Sequence, residues 1–196
     1  MPSNSLHRWQ HEARSQLDDI VSAHAAVAAA KRGGRAATAQ VNHAYAMLLS
    51  SHFQRFCRDL HSEAIEHLCA EVPTTWVQPI LRARLIEGRK LDTGNPNPGN
   101  LGSDFKRFGL ELWPSMIAID ARTSGRKVKL EQLNRWRNAI AHQDFSQSSD
   151  LDLGTGRVDL RLADVDGWRA ACDQLAPTMD AAVGGRLAGL AGRSPW

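Results

Sequence analysis

Arg137, Asn138 and His142 carry the chain's clearest chemistry. They stand in the run Leu130–Phe145, spelled Leu-Glu-Gln-Leu-Asn-Arg-Trp-Arg-Asn-Ala-Ile-Ala-His-Gln-Asp-Phe. An imidazole with an unperturbed pKa of about 6.5 can give or take a proton near neutral pH. A guanidinium keeps its charge and offers a planar fork to two oxygens, which suits a phosphate. A carboxamide between them can orient the imidazole or hydrogen-bond a ribose or phosphate. The combination suits proton transfer at a phosphate ester, although one Arg and one His are too few for a complete acid–base pair. Spacing adds a geometric demand. Asn138 and His142 are four apart and share a helix face. Arg137 and His142 are five apart and diverge by roughly 140° on a regular helix. They converge if the helix end unwinds, if Arg137 reaches round, or if two copies of the chain face each other. A symmetric homodimer would supply two of each group in one cleft. Without a ligand, Arg137 would instead pair with an acid on a neighbouring helix, and His142 would cap the helix C-terminus, where a cation is favoured.

The element that must position these groups is a helix. Leu130, Leu133, Trp136 or Arg137, and Ile140 fall at helical spacing with no Gly or Pro between them. A basic hinge, Arg122-Thr-Ser-Gly-Arg-Lys-Val-Lys129, leads into it. Over residues 122–137, Arg122, Arg126, Lys127, Lys129, Arg135 and Arg137 stand against Glu131 alone. This is the densest positive segment of the chain. It makes Arg122, Arg126, Lys127, Lys129 and Arg135 candidates for binding a polyanion such as RNA, although a solvated helix surface leaves the same pattern.

The remaining elements are also helical. Asn4 to Lys31 carries a stripe of Leu6, Trp9, Ala13, Leu17, Ile20 and Val21 and ends at Gly33-Gly34. Ala36 to Glu71 carries Val41, Tyr45, Leu48, Leu49, Phe53, Phe56, Leu60, Ala64 and Leu68, and Pro73 ends it. Its histidines, His43, His52, His61 and His67, read as surface or partly buried residues. Thr74 to Arg89 is a third helix, with Pro79 weakening its start. Asp92-Thr-Gly-Asn-Pro-Asn-Pro-Gly-Asn-Leu-Gly102 reads as a connecting loop by its turn chemistry. Ser103 caps a helix to about Asp120, split or kinked at Gly109 and Pro114. Residues 146–162, with alternation around Gly154-Thr-Gly156, predict a small hairpin or extended insertion. A last helix runs from about Val165 to Leu190 on Val165, Trp168, Cys172, Leu175, Met179, Val183 and Leu187. Pro177 should kink it, and Gly184, Gly185 and Gly189 should fray its end. Five or six helices and little strand predict an all-α fold, an antiparallel helical bundle in one domain over 1–196. The helix within 1–35 and the 146–162 insertion stand as accessories to it.

Length and composition bound the rest. With 196 residues and 42% hydrophobic content, the chain can bury a core. Three cysteines, without metal-type spacing, suit a reduced cytoplasmic protein. Met1–Gln10 lacks the apolar core of a signal peptide, and no run reaches the length of a membrane span. Residues 1–142 hold 19 Lys and Arg against 13 Asp and Glu, whereas 143–196 hold 5 against 8. A basic excess over the motif-bearing part permits a nucleic-acid partner. No phosphate-loop lysine follows Gly102. His7 and His11 lack a third ligand and a zinc-protease spelling, so neither a metal nor a cofactor is expected.

Arg137-Asn138, then Ala139-Ile140-Ala141 and His142, resembles the Arg–polar–x–x–x–His motif of HEPN-domain ribonucleases, in the form of the RiboL-PSP-HEPN branch. Tyr45–Leu60, with its Ser-His-Phe-Gln-Arg-Phe centre, resembles the first long core helix of that family, which often carries an acid where Gln54 stands here. The resemblance implies an all-α homodimer that cuts RNA without metal, giving 2′,3′-cyclic phosphate and 5′-hydroxyl ends. Arg137, His142 and Asn138 would be its catalytic residues. It further implies a toxin or phage-defence effector, with an antitoxin or defence-system protein as partner. In some such pairs the antitoxin modifies a tyrosine two residues after the motif histidine. That position is Asp144 here, and Tyr45 is the only tyrosine. A HEPN-like module that binds RNA, nucleotide or protein without cleavage is the alternative.

Overall fold

The computed structural model describes residues 1–29, 34–146, 151 and 159–196. Among these the chain is helical, without strands. The elements are α1 (Asn4–Arg8), a π-helical stretch Trp9–Ala13, α2 (Arg14–Ala29), α3 (Gly34–Ala70), α4 (Val77–Ile86), α5 (Lys90–Thr93), α6 (Pro98–Lys106), α7 (Leu112–Ile119), α8 (Thr123–His142) and α9 (Leu162–Ala191). Among the described residues no helix is long and apolar enough to cross a membrane.

α3 is the central rod. Its stripe of Tyr45, Leu49, Phe53, Phe56, Leu60 and Ala64 is buried, and it packs against α2, α8 and α9. Polar contacts give the helix directions. Asn4 and Ser5 donate backbone N–H groups to the Glu63 carboxylate, and Arg8 pairs with Asp59, so α1–α2 runs antiparallel to α3. Ser3 bonds Asp180, Trp9 bonds Asp173 and Asp18 pairs with Arg169, so α1–α2 is antiparallel to α9 as well. α3 and α9 therefore run parallel, with Tyr45 bonded to Asp166 and Glu71 paired with Arg193 at their two ends. The bundle is thus mixed rather than purely antiparallel. The N-terminal helix belongs to the core: Leu6, Trp9, Ala13 and Leu17 are all buried. Ser3 caps it by accepting from the Leu6 N–H, and losing that cap costs roughly 1 kcal/mol.

Several expectations are corrected. The Asp92–Gly102 connector is mostly helical, comprising the end of α5 and the first half of α6. Asn97, not Ser103, caps α6: its side chain accepts from the Asn100 N–H, and Pro98 takes the first helical position, where its missing N–H costs nothing. The basic hinge before the motif is the first two turns of α8 itself. α9 continues through Pro177 and the three glycines to Ala191. Buried Ala182, Val183 and Leu187, and the Trp196 indole lying over Gly184, outweigh the weak helix propensity there. His61 is wholly buried rather than superficial. The split at Gly109 holds; that residue has a φ of 79°, which glycine adopts freely. The expected hairpin falls largely outside the described residues, apart from helical Leu151, coil at 159–161, and Leu162, which opens α9.

Candidate functional site

α8 presents the motif at its C-terminal end. Leu130, Leu133, Trp136 and Ile140 face the core, which resolves the alternative at 136/137 in favour of Trp136. Truncating a side chain such as Trp136 costs about 3–5 kcal/mol, so this stripe anchors what stands opposite it. Asn138 and His142 are exposed, and Arg137 is half-buried.

The helix is regular through His142. It closes with a Schellman motif: Gln143 adopts φ 52° and ψ 33°, its N–H bonds the Ile140 carbonyl at 3.3 Å, and the Asp144 N–H bonds the Ala139 carbonyl at 3.0 Å. The Gln143 side chain adds a 2.8 Å bond to the same Ile140 carbonyl. The Ala139 and Ile140 carbonyls are thus closed by backbone and by Gln143 rather than by the His142 ring. Among the described residues its ring has no hydrogen-bond partner. The Ser146 hydroxyl and N–H hold the Asp144 carboxyl below its usual pKa, with a smaller contribution from nearby His142.

Arg137 has no acid partner among the described residues. Its Nη1 donates to Asn138 Oδ1 at 3.2 Å. The side chain therefore reaches round α8 onto the carboxamide one turn before His142, and this closes part of the angular gap that the helix imposes. Asn138 holds Arg137 rather than His142. Its oxygen also accepts from Asn95 Nδ2 at 2.9 Å, and among the described residues its own N–H groups have no partner.

The basic segment is not gathered into one patch. Arg122 precedes α8 with its side chain 84% exposed and 3.4 Å from Asp120. Arg126 is only 11% exposed and is bound to Asp120 at 2.7 Å. Lys127 lies over the Trp113 ring, 5.1 Å from its centroid, toward α7. Lys129 points to the other side, against Gly167 of α9. Arg135 lies 3.7 Å from Glu131. Two residues of helix turn Lys127 and Lys129 roughly 160° apart, which is why a dense run in sequence scatters in space.

Beside the motif stands a group of amides that sequence spacing does not single out. Asn95 and Asn97, in the turn before α6, interlock with Asn100 of its first turn. Buried Asn134 of α8 donates to the Pro96 carbonyl at 3.2 Å. Gln54 of α3 donates to the Leu91 and Gly94 carbonyls, each at 2.7 Å. A carboxylate at position 54 has no such donors, so glutamine here serves the turn. The available signal was Asn97-Pro98, a cap residue followed by proline. On the far side of α8, His43 stacks on Phe145 with ring centroids 5.9 Å apart, and burial lowers its pKa. His7 and His11 are exposed neighbours with ring centroids 4.3 Å apart.

No family model matches the chain, and neither a curated protein nor a solved structure matches it.

Proposed function

We propose that the chain is a metal-independent endoribonuclease of HEPN-like type, working as a homodimer with RNA bound across α8. The observation that carries this reading is the state of Arg137 and His142. Neither is tied up by a bond that would otherwise account for it: Arg137 has no acid partner among the described residues, and there the His142 ring, in the last turn of α8, makes no hydrogen bond to the helix-end carbonyls. Both stand at an accessible helix end, with Asn138 between them.

The chemistry follows from the groups. Attack by a ribose 2′-hydroxyl on the adjacent phosphorus needs a proton removed from that hydroxyl and a proton given to the leaving 5′-oxygen. His142 serves one of these transfers and its counterpart from a second protomer serves the other. Arg137 neutralises the charge that builds on the phosphoryl oxygens. Asn138, whose N–H groups have no partner among the described residues, hydrogen-bonds the ribose or phosphate. Exposed Arg122 and Lys129 are the members of the basic segment best suited to reach backbone phosphates, whereas Arg126 is committed to Asp120. A toxin or defence role fits such an activity, held in check by a binding antitoxin, since Asp144 offers no hydroxyl to modify.

The test is purified protein on mixed-sequence RNA with EDTA present, followed by end analysis. Cleavage should give 2′,3′-cyclic phosphate and 5′-hydroxyl ends, and 2′-deoxy substitution at the cut position should block it. A wild-type protein that cuts no better than His142→Ala would overturn the reading. Retained RNA affinity without product would select the non-catalytic module.

A further inference from the structure

Arg137 is held by a single described bond, to Asn138 Oδ1, and that oxygen is shared with Asn95. Asn95 is 9% exposed and belongs to no helix. Its own carboxamide is fixed in sense: Oδ1 accepts from Asn97 Nδ2 at 2.8 Å, which leaves Nδ2 to donate to Asn138. Turning it over would set donor against donor at Asn97 and acceptor against acceptor at Asn138. Asn97 is fixed in turn, because its Oδ1 caps α6 through the Asn100 N–H. A directed chain of amides therefore runs from the α6 cap through Asn97, Asn95 and Asn138 to the guanidinium. At its far end the Asn138 carboxamide is exposed, and its terminal torsion is broad and nearly two-fold when nothing holds it. Turned over, it would present N–H groups to Arg137, which can only donate.

Resting on the ribonuclease reading, we infer that Asn95 is a positioning residue. It holds the oxygen edge of Asn138 toward Arg137, and so keeps the guanidinium on the side of α8 that carries His142. Asn95 does not touch the substrate. The turn that carries it does not depend on its side chain: Gln54 holds Leu91 and Gly94, Asn134 holds Pro96, and Asn100 Nδ2 holds the Asn95 carbonyl at 2.8 Å. Asn95→Ala should therefore fold.

The experiment is a double-mutant cycle with Asn95→Ala and Arg137→Ala, read by single-turnover cleavage of a single-stranded RNA at enzyme excess. Thermal unfolding of each variant and 15N relaxation of the Arg137 Nε–H accompany it. In the wild-type background Asn95→Ala should slow cleavage by about 10- to 100-fold, the scale of a small misplacement of a catalytic group. Its Tm should stay within about 3 °C of wild type. In the Arg137→Ala background it should add no further loss, because the group it positions is gone. The Arg137 Nε–H should become more mobile in Asn95→Ala without any RNA present. A full-size loss in the Arg137→Ala background, unchanged cleavage in Asn95→Ala, or an unaltered Arg137 Nε–H would each overturn the inference. Failure of the wild type to cut RNA would instead remove the ribonuclease reading, while the relaxation measurement still decides whether Asn95 orders Arg137.

Discussion

Two constellations of arginine, histidine and a polar partner among the described residues are built in opposite ways. One is buried between α3 and the α5–α6 segment. Arg89 forks onto Asp92 with two 3.1 Å bonds and donates to Ser62 at 2.8 Å and to His61 Nδ1 at 3.4 Å. His61 Nε2 meets the Asp104 carbonyl at 3.1 Å. Because a guanidinium can only donate and a carbonyl can only accept, the imidazole must be neutral, with its proton on Nε2. The Asp104 carboxylate receives the Lys90 and Leu91 N–H groups at 2.8 Å each. The other constellation is the motif on α8, where Asn138 and His142 are exposed, Arg137 is half-buried and, among the described residues, only Arg137 and the Asn138 oxygen are engaged. A saturated buried group is explained by the fold it supports. An open one on a well-anchored helix is what the proposed RNA partner would use.

Stability should separate the two most sharply. Asp104→Ala leaves the buried Leu91 N–H and the part-buried Lys90 N–H without their acceptor and should cost about 3 kcal/mol in urea unfolding. Asn138→Ala, on an exposed surface, should cost under about 1 kcal/mol. A comparable loss at both positions would erase the distinction.

Protonation gives a second contrast of somewhat smaller size. Burial, and then the Arg89 charge, push the His61 pKa from 6.5 down to about 4. Above pH 6.5 the ring is neutral whether folded or unfolded, and this contribution to stability is whole. As pH falls from 6.5 toward 4 the unfolded chain takes up a proton that the folded chain refuses. Stability is lost across that window, by at most about 3 kcal/mol. His61→Gln should flatten this slope in urea unfolding measured at several pH values, and His142→Gln should leave it in place.

The same difference explains what could be read from the sequence alone. Apolar stripes were legible because helical spacing alone sorts Leu130, Leu133, Trp136 and Ile140 toward the core, and likewise Val165, Trp168, Cys172, Leu175, Met179, Val183 and Leu187, all buried. The motif was legible because its three residues are local to one helix. The buried constellation was not, because His61 meets an arginine 28 residues away and a carbonyl 43 residues away. Asn95 lies 43 residues from Asn138, and no local pattern announces that pairing. The basic segment misled for the complementary reason: a run dense in sequence is spread round a helix, and Asp120 takes up Arg126.

The smallest expected effect concerns that segment. For a single-stranded RNA, removing one phosphate-binding cation should reduce the slope of log affinity against log salt by about 0.7. Arg122→Ala should show this reduction. Arg126→Ala, whose guanidinium is already engaged with Asp120, should not. Equal reductions would place the two arginines on one RNA-facing surface.

The central claim is that His61 serves the fold and His142 serves the RNA. The direct measurement puts His61→Ala and His142→Ala side by side, each assayed for urea unfolding and for RNA cleavage in EDTA. His142→Ala should unfold like wild type and lose cleavage by about 100-fold or more, the scale of removing a general acid or base. His61→Ala should lose stability, and the fraction that remains folded should still cut. A His142→Ala protein that is folded and cuts RNA like wild type would contradict the account.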